Sequence, residues 1–335
     1  MVDIYIKSFN RPYFLDRCLY SIYRYVTGDF QVIVMDDGTP EKYVRKMAEK
    51  YPSVKFTFTE EAPGKRDEIE NAVVSGKDNF TKSVPVKFWR KTIEHGTDVF
   101  FLMEDDIWIT EPIDMDVYAR LMKNENINQI KIRWCGNENT NIGKRKRLND
   151  HIEVVIPDVP FIAEMIVKNR FYLHSILLKL KQMRPNYFLQ LYTYYDIGGV
   201  IYDKKFWLSL WPESLEHIEE MIQLGKAAEW ARKHPKTQFA KCITESARTT
   251  FLTSAAGGYN EKTGFSMTMV NHYINEEWYN GNFDILENFP DNYSLETIYT
   301  ILQKSGDVRC DPEKWKRWSL DFQAHFVGLG ASPKG

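Results

Sequence analysis

The first hundred residues alternate short runs of β-type residues with helix-like patterns, and no other feature restricts the fold as strongly. The predicted strands are residues 4–9, 32–36, 54–59 and 99–103, and the predicted helices are residues 13–26, 41–51 and 84–95. This β-α-β alternation predicts a mostly parallel sheet with helices on both faces. Ligands of such sheets bind beyond the carboxyl ends of the strands, so residues at those ends are the first candidates for a functional site.

The charge of the chain is balanced. It has 44 basic and 46 acidic residues among 335, a net charge of -2, and no long block of one sign. This balance lacks the basic footprint of a nucleic-acid-binding protein. The four cysteines occur singly, without a CxxC pair, which favours reduced structural thiols over a zinc site or a disulfide framework. They are Cys18, Cys135, Cys242 and Cys310.

Apolar runs in the sequence are short. The longest, such as residues 99–103 and 206–210, fall far below the roughly 20 residues that span a bilayer. Charged residues within positions 1–25 break the pattern of a secretory signal peptide, so we predict a cytoplasmic protein. Residues 311–326 combine Trp and Phe with Lys and Arg, and this pattern indicates a helix that either packs on the protein's own core or lies peripherally on a membrane surface.

Two polar segments interrupt the alternation. Residues 60–83 and 136–150 are predicted to be long loops, because they are rich in charged residues and lack hydrophobic periodicity. Residues 276–335 are predicted to be a helical C-terminal extension. No internal repeat or sharp boundary divides the rest, so residues 1–275 are predicted to form one domain.

Three consecutive carboxylates, Glu104, Asp105 and Asp106, directly follow the predicted strand at residues 99–103. Adjacent anions at the end of a buried strand repel one another, and their pKa values rise unless a cation neutralises them. Oxygen ligands of this kind suit Mg²⁺ or Mn²⁺, which fill their other positions with substrate phosphate oxygens. The pattern therefore predicts a divalent metal site, and the alternative is a solvated turn that caps the next element.

Several segments of the chain resemble a known family of enzymes. Residues 6–22 read IKSFNRPYFLDRCLYSI and residues 32–40 read VIVMDDGTP, and together they resemble the opening of the inverting family 2 glycosyltransferases of the GT-A type. The sequence MEDD at residues 103–106 stands where that fold carries its DxD motif, in a form similar to N-acetylglucosaminyltransferase I. Residues 229–251, EWARKHPKTQFAKCITESARTTF, also resemble that enzyme, with its Glu-x-Ser-Arg-Thr run shifted by one residue.

The resemblance implies a GT-A fold, which is an α/β, Rossmann-like nucleotide-diphospho-sugar transferase fold with a mostly parallel central sheet. It implies a nucleotide-sugar-binding half at residues 1–135 and an acceptor-binding half at residues 136–275. The implied activity is a metal-dependent, inverting transfer of a sugar from a nucleotide-diphosphate sugar, with a UDP-sugar as the first choice. The implied acceptor is a glycan or a lipid-linked hydroxyl, the implied cofactor is Mn²⁺ or Mg²⁺, and the implied setting is polysaccharide biosynthesis.

The resemblance assigns the nucleoside contacts to the ends of the first two strands. It implies that Arg11 and either Asp36 or Asp37 contact the nucleoside, and that Ser8 and Asn10 shape the base pocket. Taken alone, an Asp-Asp-Gly sequence is an ordinary turn. The functional interpretation of these residues therefore depends on the acidic cluster further along the chain.

Within the acidic cluster, the resemblance implies that Asp106 binds the metal while Glu104 and Asp105 approach the ribose or the donor sugar. In family 2 the middle position can be the ligand instead, so Asp105 is a second candidate for the metal. His272 is a further candidate ligand, since neutral imidazole binds Mn²⁺. The alternative for His272 is a packed or exposed side chain without a ligand.

An inverting transfer needs a general base that removes the proton of the acceptor hydroxyl. Glu229 is the first candidate, because it precedes Trp230 as an acid precedes a Trp in the matched segment. The other candidates are Glu219, Glu220 and Asp196. The alternative for each of them is a solvated charge.

Two other functions fit part of the pattern. A sugar nucleotidyltransferase also joins a parallel sheet to acidic metal ligands, but it needs a Gly-rich activation loop where residues 9–12 read FNRP. A non-catalytic nucleotide- or glycan-binding module would keep the fold and lack the base. The sequence contains no GxGxxG fingerprint and no P-loop, which argues against nicotinamide enzymes and P-loop NTPases.

Overall fold

A computed structural model describes residues 1–76, 84–183, 186–215, 220–255, 259–260 and 263–332. Its strands are β1 (Val2–Ser8), β2 (Val26–Thr27), β3 (Phe30–Asp36), β4 (Lys55–Phe58), β5 (Val99–Glu104), β6 (Ile107–Ile109), β7 (Ile113–Asp114), β8 (Ile127–Lys131), β9 (Gly143–Arg147), β10 (Ile152–Pro157), β11 (Val200–Asp203), β12 (Gln238–Cys242), β13 (Ala247–Thr249), β14 (Tyr259–Asn260) and β15 (Phe265–Ser266). Its α-helices are α1 (Pro12–Tyr25), α2 (Glu41–Lys50), α3 (Ala62–Ser75), α4 (Val86–Glu94), α5 (Met115–Asn124), α6 (Phe161–Val167), α7 (Leu173–Lys179), α8 (Asn186–Leu189), α9 (Lys204–Leu210), α10 (Glu220–Lys233), α11 (Met267–Tyr279), α12 (Leu295–Ser305) and α13 (Pro312–Gly328).

Nine strands form the central sheet, in the order β4-β3-β1-β5-β11-β8-β12-β10-β9. Seven of them run in one direction, and only β11 and β10 run against it. The strands β4, β3, β1 and β5 form the parallel part that the N-terminal alternation predicts. The predicted α/β class with a mostly parallel central sheet is confirmed, and its assignment to the GT-A type stays a prediction.

The sheet separates two hydrophobic cores. Along β1, Ile4 and Ile6 face one core and Tyr5 faces the other, because successive side chains of a strand point to opposite faces. Helices α1, α2, α5, α11, α12 and α13 contribute to the first core, and α4, α6, α9 and α10 contribute to the second. Helices therefore cover both faces of the sheet, and polar residues collect at the strand ends.

The prediction of a loop over residues 60–83 was wrong for α3. Pro63 and Gly64 favour a loop in the sequence, but proline is also common in the first turn of a helix. Gly76 ends α3 in the left-handed conformation that glycine allows, with φ at 75°. The helix buries residues spaced for one face, namely Ala62, Lys65, Ile69 and Ala72. Residues 77–83 of the predicted loop lie outside the described part of the chain.

The prediction of a second loop over residues 136–150 was wrong for β9. This strand reads GKRKR and pairs antiparallel with β10 at the edge of the sheet. A strand made of cations shows no alternation of apolar and polar residues, so its sequence gave no β signal. Lysine and arginine on an edge strand deter pairing with other chains.

Helix α13 packs its apolar side against the protein's own core, which is one of the two arrangements that its sequence pattern allows. Trp315 is fully buried, and its indole N–H donates a hydrogen bond to the carbonyl of Leu252 at 2.8 Å. Phe322 and Phe326 pack against the ring of Phe251. Within the described residues, no helix combines the length and the apolar character that crossing a membrane requires. Trp315 is buried and Phe322 and Phe326 are partly covered, whereas Leu320 and Val327 stay exposed, so the structure supports packing on the protein's own core, and a peripheral membrane contact through α13 stays a prediction.

The described part of the predicted extension, residues 276–332, contributes to the same core as α1. The buried guanidinium of Arg17 donates hydrogen bonds to the carbonyls of Ile285 and Glu287 at 3.1 and 3.2 Å. It also lies over the ring of Trp108, 4.5 Å from its centroid. These contacts fasten the C-terminal segment to the first helix, and the division of the chain at residue 275 stays a prediction.

Replacing Trp315 with alanine should lower the free energy of unfolding by about 3–5 kcal/mol, because it opens a cavity and leaves the Leu252 carbonyl without its donor. Urea denaturation followed by circular dichroism measures this change. Lys316→Ala, on the outer side of the same helix, removes a surface ion pair with Glu296 and a cation–π contact with Tyr299 and should cost less than about 1 kcal/mol. Equal losses in the two variants would contradict the described packing of α13.

Candidate active site

A cleft of about 610 Å³ opens at the carboxyl ends of β1, β3 and β5, where ligands of parallel sheets bind. Its lining includes charged side chains, namely Lys7, Arg11, Asp37, Lys65, Glu104, Asp105, Asp106, Arg133, Asp196 and Glu220, and hydroxyl side chains such as Ser8. It also includes aromatic side chains, among them Trp89, Trp134, Phe188, Tyr192, Phe251, Phe322 and Phe326. The cleft therefore offers both ionic and apolar contacts to a ligand.

The acidic triplet lies in this cleft, with Glu104 ending β5 and Asp105 and Asp106 forming the turn into β6. The ammonium group of Lys7 lies 2.8 Å from the carboxylate of Glu104. The guanidinium of Arg11 bridges Asp105 and Asp106, at 2.8 Å from the latter. The cations that balance the triplet in the structure are therefore two side chains from the first strand and the turn after it. The resemblance assigns Arg11 to the nucleoside, but in this structure its guanidinium forms ion pairs with the two aspartates.

One guanidinium opposes two carboxylates, so this buried group is net negative when both carboxylates are ionised. Burial raises the pKa of Asp105 to about 7, with Arg11 opposing the rise and Asp106 adding to it. Burial also acts on Glu104, but Lys7 outweighs it and lowers the pKa of that carboxyl below its ordinary value. A further cation beside the two aspartates would stabilise the cluster.

Asp106 is the carboxylate with an oxygen available for a metal. Its Oδ1 is buried and has no hydrogen-bond partner in the described structure, whereas Asp105 has one oxygen paired with Arg11 and the other accepting from the N–H of Phe9. Among the residues that the structure describes, no three His, Cys, Asp or Glu side chains converge as a metal site. His272 lies on α11 and does not line the cleft, so the structure does not bring it to the acidic cluster.

The two aspartates after β3 have different surroundings. Asp36 is buried, does not line the cleft, and accepts a hydrogen bond from the backbone N–H of Thr39 at 2.9 Å, which closes the turn. Asp37 lines the cleft, accepts a hydrogen bond from the hydroxyl of Thr59 at 3.0 Å, and pairs with Lys65 at 2.5 Å. Asp36 thus builds the turn, and Asp37 is the aspartate that a ligand can reach.

Five polar atoms of residues that line the cleft are buried and have no hydrogen-bond partner in the described structure: Ser8 Oγ, Asp106 Oδ1, Arg133 Nε, Arg11 Nε and Trp89 Nε1. A buried polar group without a partner costs about 1–3 kcal/mol, so these atoms mark positions where polar atoms of a ligand are favoured. Asn10 differs from them, because it is buried in the left-handed conformation, with φ at 51°, and its carbonyl accepts from Asn275 at 3.1 Å. Asn10 therefore shapes the turn and does not line the cleft.

Glu229 lies on the outer side of α10 and does not line the cleft. Its carboxylate pairs with Lys233 at 2.7 Å and with Lys168 at 3.0 Å, and hydrogen bonds from these two lysines lower its pKa to about 2. A base must reach the proton that it removes. The structure thus corrects the position expected for Glu229, because the helix turns this side chain toward solvent and two cations.

Two of the other candidate bases do line the cleft. Glu220 begins α10, and burial raises the pKa of its carboxyl, although a hydrogen bond from Tyr192 opposes the rise. Asp196 lies 3.7 Å from the ammonium group of the buried Lys131. Glu219 lies outside the described residues. Besides the acidic triplet and Asp37, the cleft therefore holds one carboxylate near a tyrosine and one near a lysine.

Sequence reasoning missed three cations that line the cleft: Lys7, Lys65 and Arg133. Lys7 carries a usable signal, because a charged residue in a strand that is buried along its whole length needs a buried partner. Arg133 follows β8, so the rule that singles out strand ends applies to it as well. Lys65 had no such signal, since it belongs to the helix that the sequence presents as a loop.

No protein-family model and no curated protein matches the sequence. Solved structures with a similar fold include that of S. aureus TarS, which is 13% identical and is matched over 91% of this chain and 42% of that one, with a TM-score of 0.41. S. aureus TarS 1–349 in complex with UDP-GlcNAc is 13% identical over 97% of this chain and 92% of that one, with a TM-score of 0.43. The mannosyltransferase PcManGT from Pyrobaculum calidifontis, in complex with GDP-Man and Mn²⁺, is 9% identical over 99% and 76%, with a TM-score of 0.38. The chain thus spans less than half the length of the first of these structures.

Replacing Arg11 with leucine should lower the free energy of unfolding at pH 7 by about 3–5 kcal/mol, because it leaves Asp105 and Asp106 buried without their cation. Urea denaturation measures the loss. Arg45→Leu is the matched control, since Arg45 pairs only with Glu41 on the surface and should cost less than about 1 kcal/mol.

The double variant Arg11→Leu/Asp105→Asn should recover part of this stability, because it removes one of the two stranded carboxylates. No difference between Arg11→Leu and Arg45→Leu would show that the buried pair does not hold the turn.

Proposed function

We propose that this protein is a nucleotide-sugar glycosyltransferase that binds its donor in the cleft at the carboxyl ends of β3, β1 and β5. The observation that carries the proposal is the convergence, at these three adjacent strand ends, of Asp37, Ser8 and the acidic triplet at residues 104–106. The sequence resemblance assigns Asp37 to the nucleoside, Ser8 to the base pocket and the acidic triplet to the metal. The ends of β3, β1 and β5 place them side by side in that order. A fold alone does not fix a function, so the proposal rests on this site.

The polar atoms of the cleft suit a nucleoside diphosphate. Asp37 can accept hydrogen bonds from ribose hydroxyls, and Ser8 Oγ is a free donor and acceptor beside it. The guanidinium of Arg133 has a free Nε and lies 3.8 Å from Asp196, so it keeps capacity for phosphate oxygens. Donors for the anionic part and acceptors for the sugar hydroxyls are thus present in one cleft.

The proposal includes a divalent metal, Mn²⁺ or Mg²⁺, with Asp106 as its ligand. The free Oδ1 of Asp106 fits such an ion, and diphosphate oxygens would complete a coordination that the protein leaves open. Asp105 positions the neighbouring Asp106 through the shared Arg11. When bound, the metal would neutralise the charge that develops on the departing nucleoside diphosphate.

For the general base we propose Glu220. Its carboxyl lines the cleft, and burial raises its pKa toward the range in which a carboxylate removes protons effectively. Asp196 is the weaker candidate, because Lys131 and Arg133 lie within 4 Å of it and favour its role as an ion-pair partner. Inversion of configuration follows from a base on the acceptor side and is part of the same proposal.

A thermal-shift panel of UDP-, GDP-, CMP- and dTDP-sugars, with and without Mn²⁺, tests donor binding. A ligand that binds only the native state stabilises it by about 2.7 kcal/mol at a hundredfold excess over its Kd, so one donor should raise the Tm clearly. Asp106→Asn should abolish the part of the shift that depends on Mn²⁺. Glu111→Gln, an exposed carboxylate nearby, should keep it. No shift with any donor, or an unchanged metal dependence in Asp106→Asn, would contradict the proposal.

Glu220→Gln should leave the donor-induced thermal shift intact and lower turnover about a hundredfold or more, the usual range for removing a general base. Glu229→Gln is the matched control and should keep its turnover, because Glu229 lies outside the cleft. In the wild type, kcat/KM should fall as the pH drops through the raised pKa of Glu220, since protonation removes the base. Turnover that survives in Glu220→Gln and falls in Asp196→Asn would move the role to Asp196.

A further inference from the structure

Helices α6 and α7, with the turn between them, form an apolar protrusion that we call the α6–α7 surface (residues 161–181). Seven of the 20 large hydrophobic side chains that are exposed in the described part of the chain lie within residues 161–180. The helices α6 and α7 and the turn pack against one another, so these exposed side chains project from one small unit of the fold. Apolar side chains gathered in this way on a protein surface mark an interaction site.

Two aromatic residues, Phe171 and Tyr172, form the tip of the α6–α7 surface. Their side chains are 82% and 75% exposed. Their backbone φ angles are 53° and 57°, in the left-handed region that residues with a β-carbon disfavour. The chain thus adopts an unfavourable backbone conformation here and still leaves both rings in solvent. Packing within the protein does not account for these two residues.

The charges around the tip are positive. The sequence contains no Asp or Glu over residues 165–195. Arg170, Lys179 and Lys181 are exposed, and none of them makes an ion pair with another residue that the structure describes. In a chain with a net charge of -2, this is a local concentration of unpaired cations beside exposed apolar side chains.

We propose that the α6–α7 surface docks on an anionic lipid bilayer. Exposed aromatic and aliphatic side chains enter the boundary of the acyl chains, while flanking cations meet the lipid phosphates. Charge complementarity selects this occupant over a second copy of the chain. A symmetric contact between two such surfaces would bring the cations Arg170, Lys179 and Lys181 of both copies together, and like charges across an interface are unfavourable.

The α6–α7 surface is connected to the cleft through α8. Helix α6 packs against α8, and Phe188 and Leu189 of α8 line the cleft. Docking therefore holds this wall of the cleft near the bilayer, as a lipid-linked acceptor would require. That consequence rests on the proposed function, whereas the docking itself does not.

Sedimentation with lipid vesicles tests the docking on the full chain and does not use enzyme activity. The wild-type protein should bind vesicles of phosphatidylcholine with about 30% phosphatidylglycerol, and binding should weaken as NaCl is raised from about 0.05 M to about 0.5 M. Arg170→Gln/Lys179→Gln/Lys181→Gln should lower the partition coefficient roughly a hundredfold, because each cation near an anionic surface contributes about a factor of five. Phe171→Ser/Tyr172→Ser should lower it about tenfold or more.

The matched control is Leu320→Ser/Val327→Ser on the exposed side of α13, which removes the same number of exposed apolar side chains and should bind vesicles like the wild type. All three variants should keep the wild-type circular dichroism spectrum and Tm, because the replaced side chains are exposed. They should also keep the donor-induced thermal shift, so failure of the docking and failure of the proposed function are read separately.

Three outcomes would overturn the docking. The first is equal binding to vesicles with and without phosphatidylglycerol. The second is wild-type binding by both variants of the α6–α7 surface. The third is a wild-type dimer, measured by light scattering without lipid, that the Phe171→Ser/Tyr172→Ser variant converts to a monomer, since this would assign the surface to a second copy of the chain.

Discussion

The guanidinium of Arg11 joins the start of α1 to the turn after β5 by pairing with Asp105 and Asp106. A buried charge is costly unless it is paired, so the position of the acidic triplet is tied to the position of α1. The same helix fastens the C-terminal segment, because Arg17 donates to the carbonyl of Ile285 at 3.1 Å. Helix α1 and the turn before it therefore contact both the acidic triplet and the segment that carries α12 and α13. Helix α13 in turn supplies part of the aromatic lining of the cleft.

The positions of polar residues relative to the strands could be predicted from the sequence. Asp37 and Glu104 are predicted at strand ends and lie there, since hydrophobic periodicity shows where a buried strand stops. Their partners could not be predicted. Lys65 reaches Asp37 from a helix that begins after the next strand, and Lys7 reaches Glu104 from the neighbouring strand β1. Packing in three dimensions decides which cation meets which carboxylate, and sequence spacing does not contain that information.

The direction in which a side chain points from a helix could not be predicted from the sequence either. An acid before a tryptophan identifies a segment, but α10 turns Glu229 toward Lys168 and Lys233 and leaves Glu220 at the cleft. The sequence also does not show whether an amphipathic face is covered. Helix α13 and the α6–α7 surface both combine aromatic residues with cations. Trp315 finds its partners inside the protein, whereas Phe171 does not. An amphipathic pattern predicts that a face will be covered, and only the tertiary structure shows whether the protein covers it.

The charges of the cleft suggest how its ligands depend on one another. One guanidinium for two carboxylates leaves Asp106 with a free oxygen in a buried group that is net negative when both carboxylates are ionised. A divalent cation alone would gain one protein oxygen there, and a diphosphate alone would meet the repulsion of the carboxylates. Under the proposed function, the diphosphate supplies the oxygen ligands that the protein lacks, and the cation removes the repulsion. Such coupling is reciprocal, so the nucleotide must raise the affinity for the metal by the same factor by which the metal raises the affinity for the nucleotide.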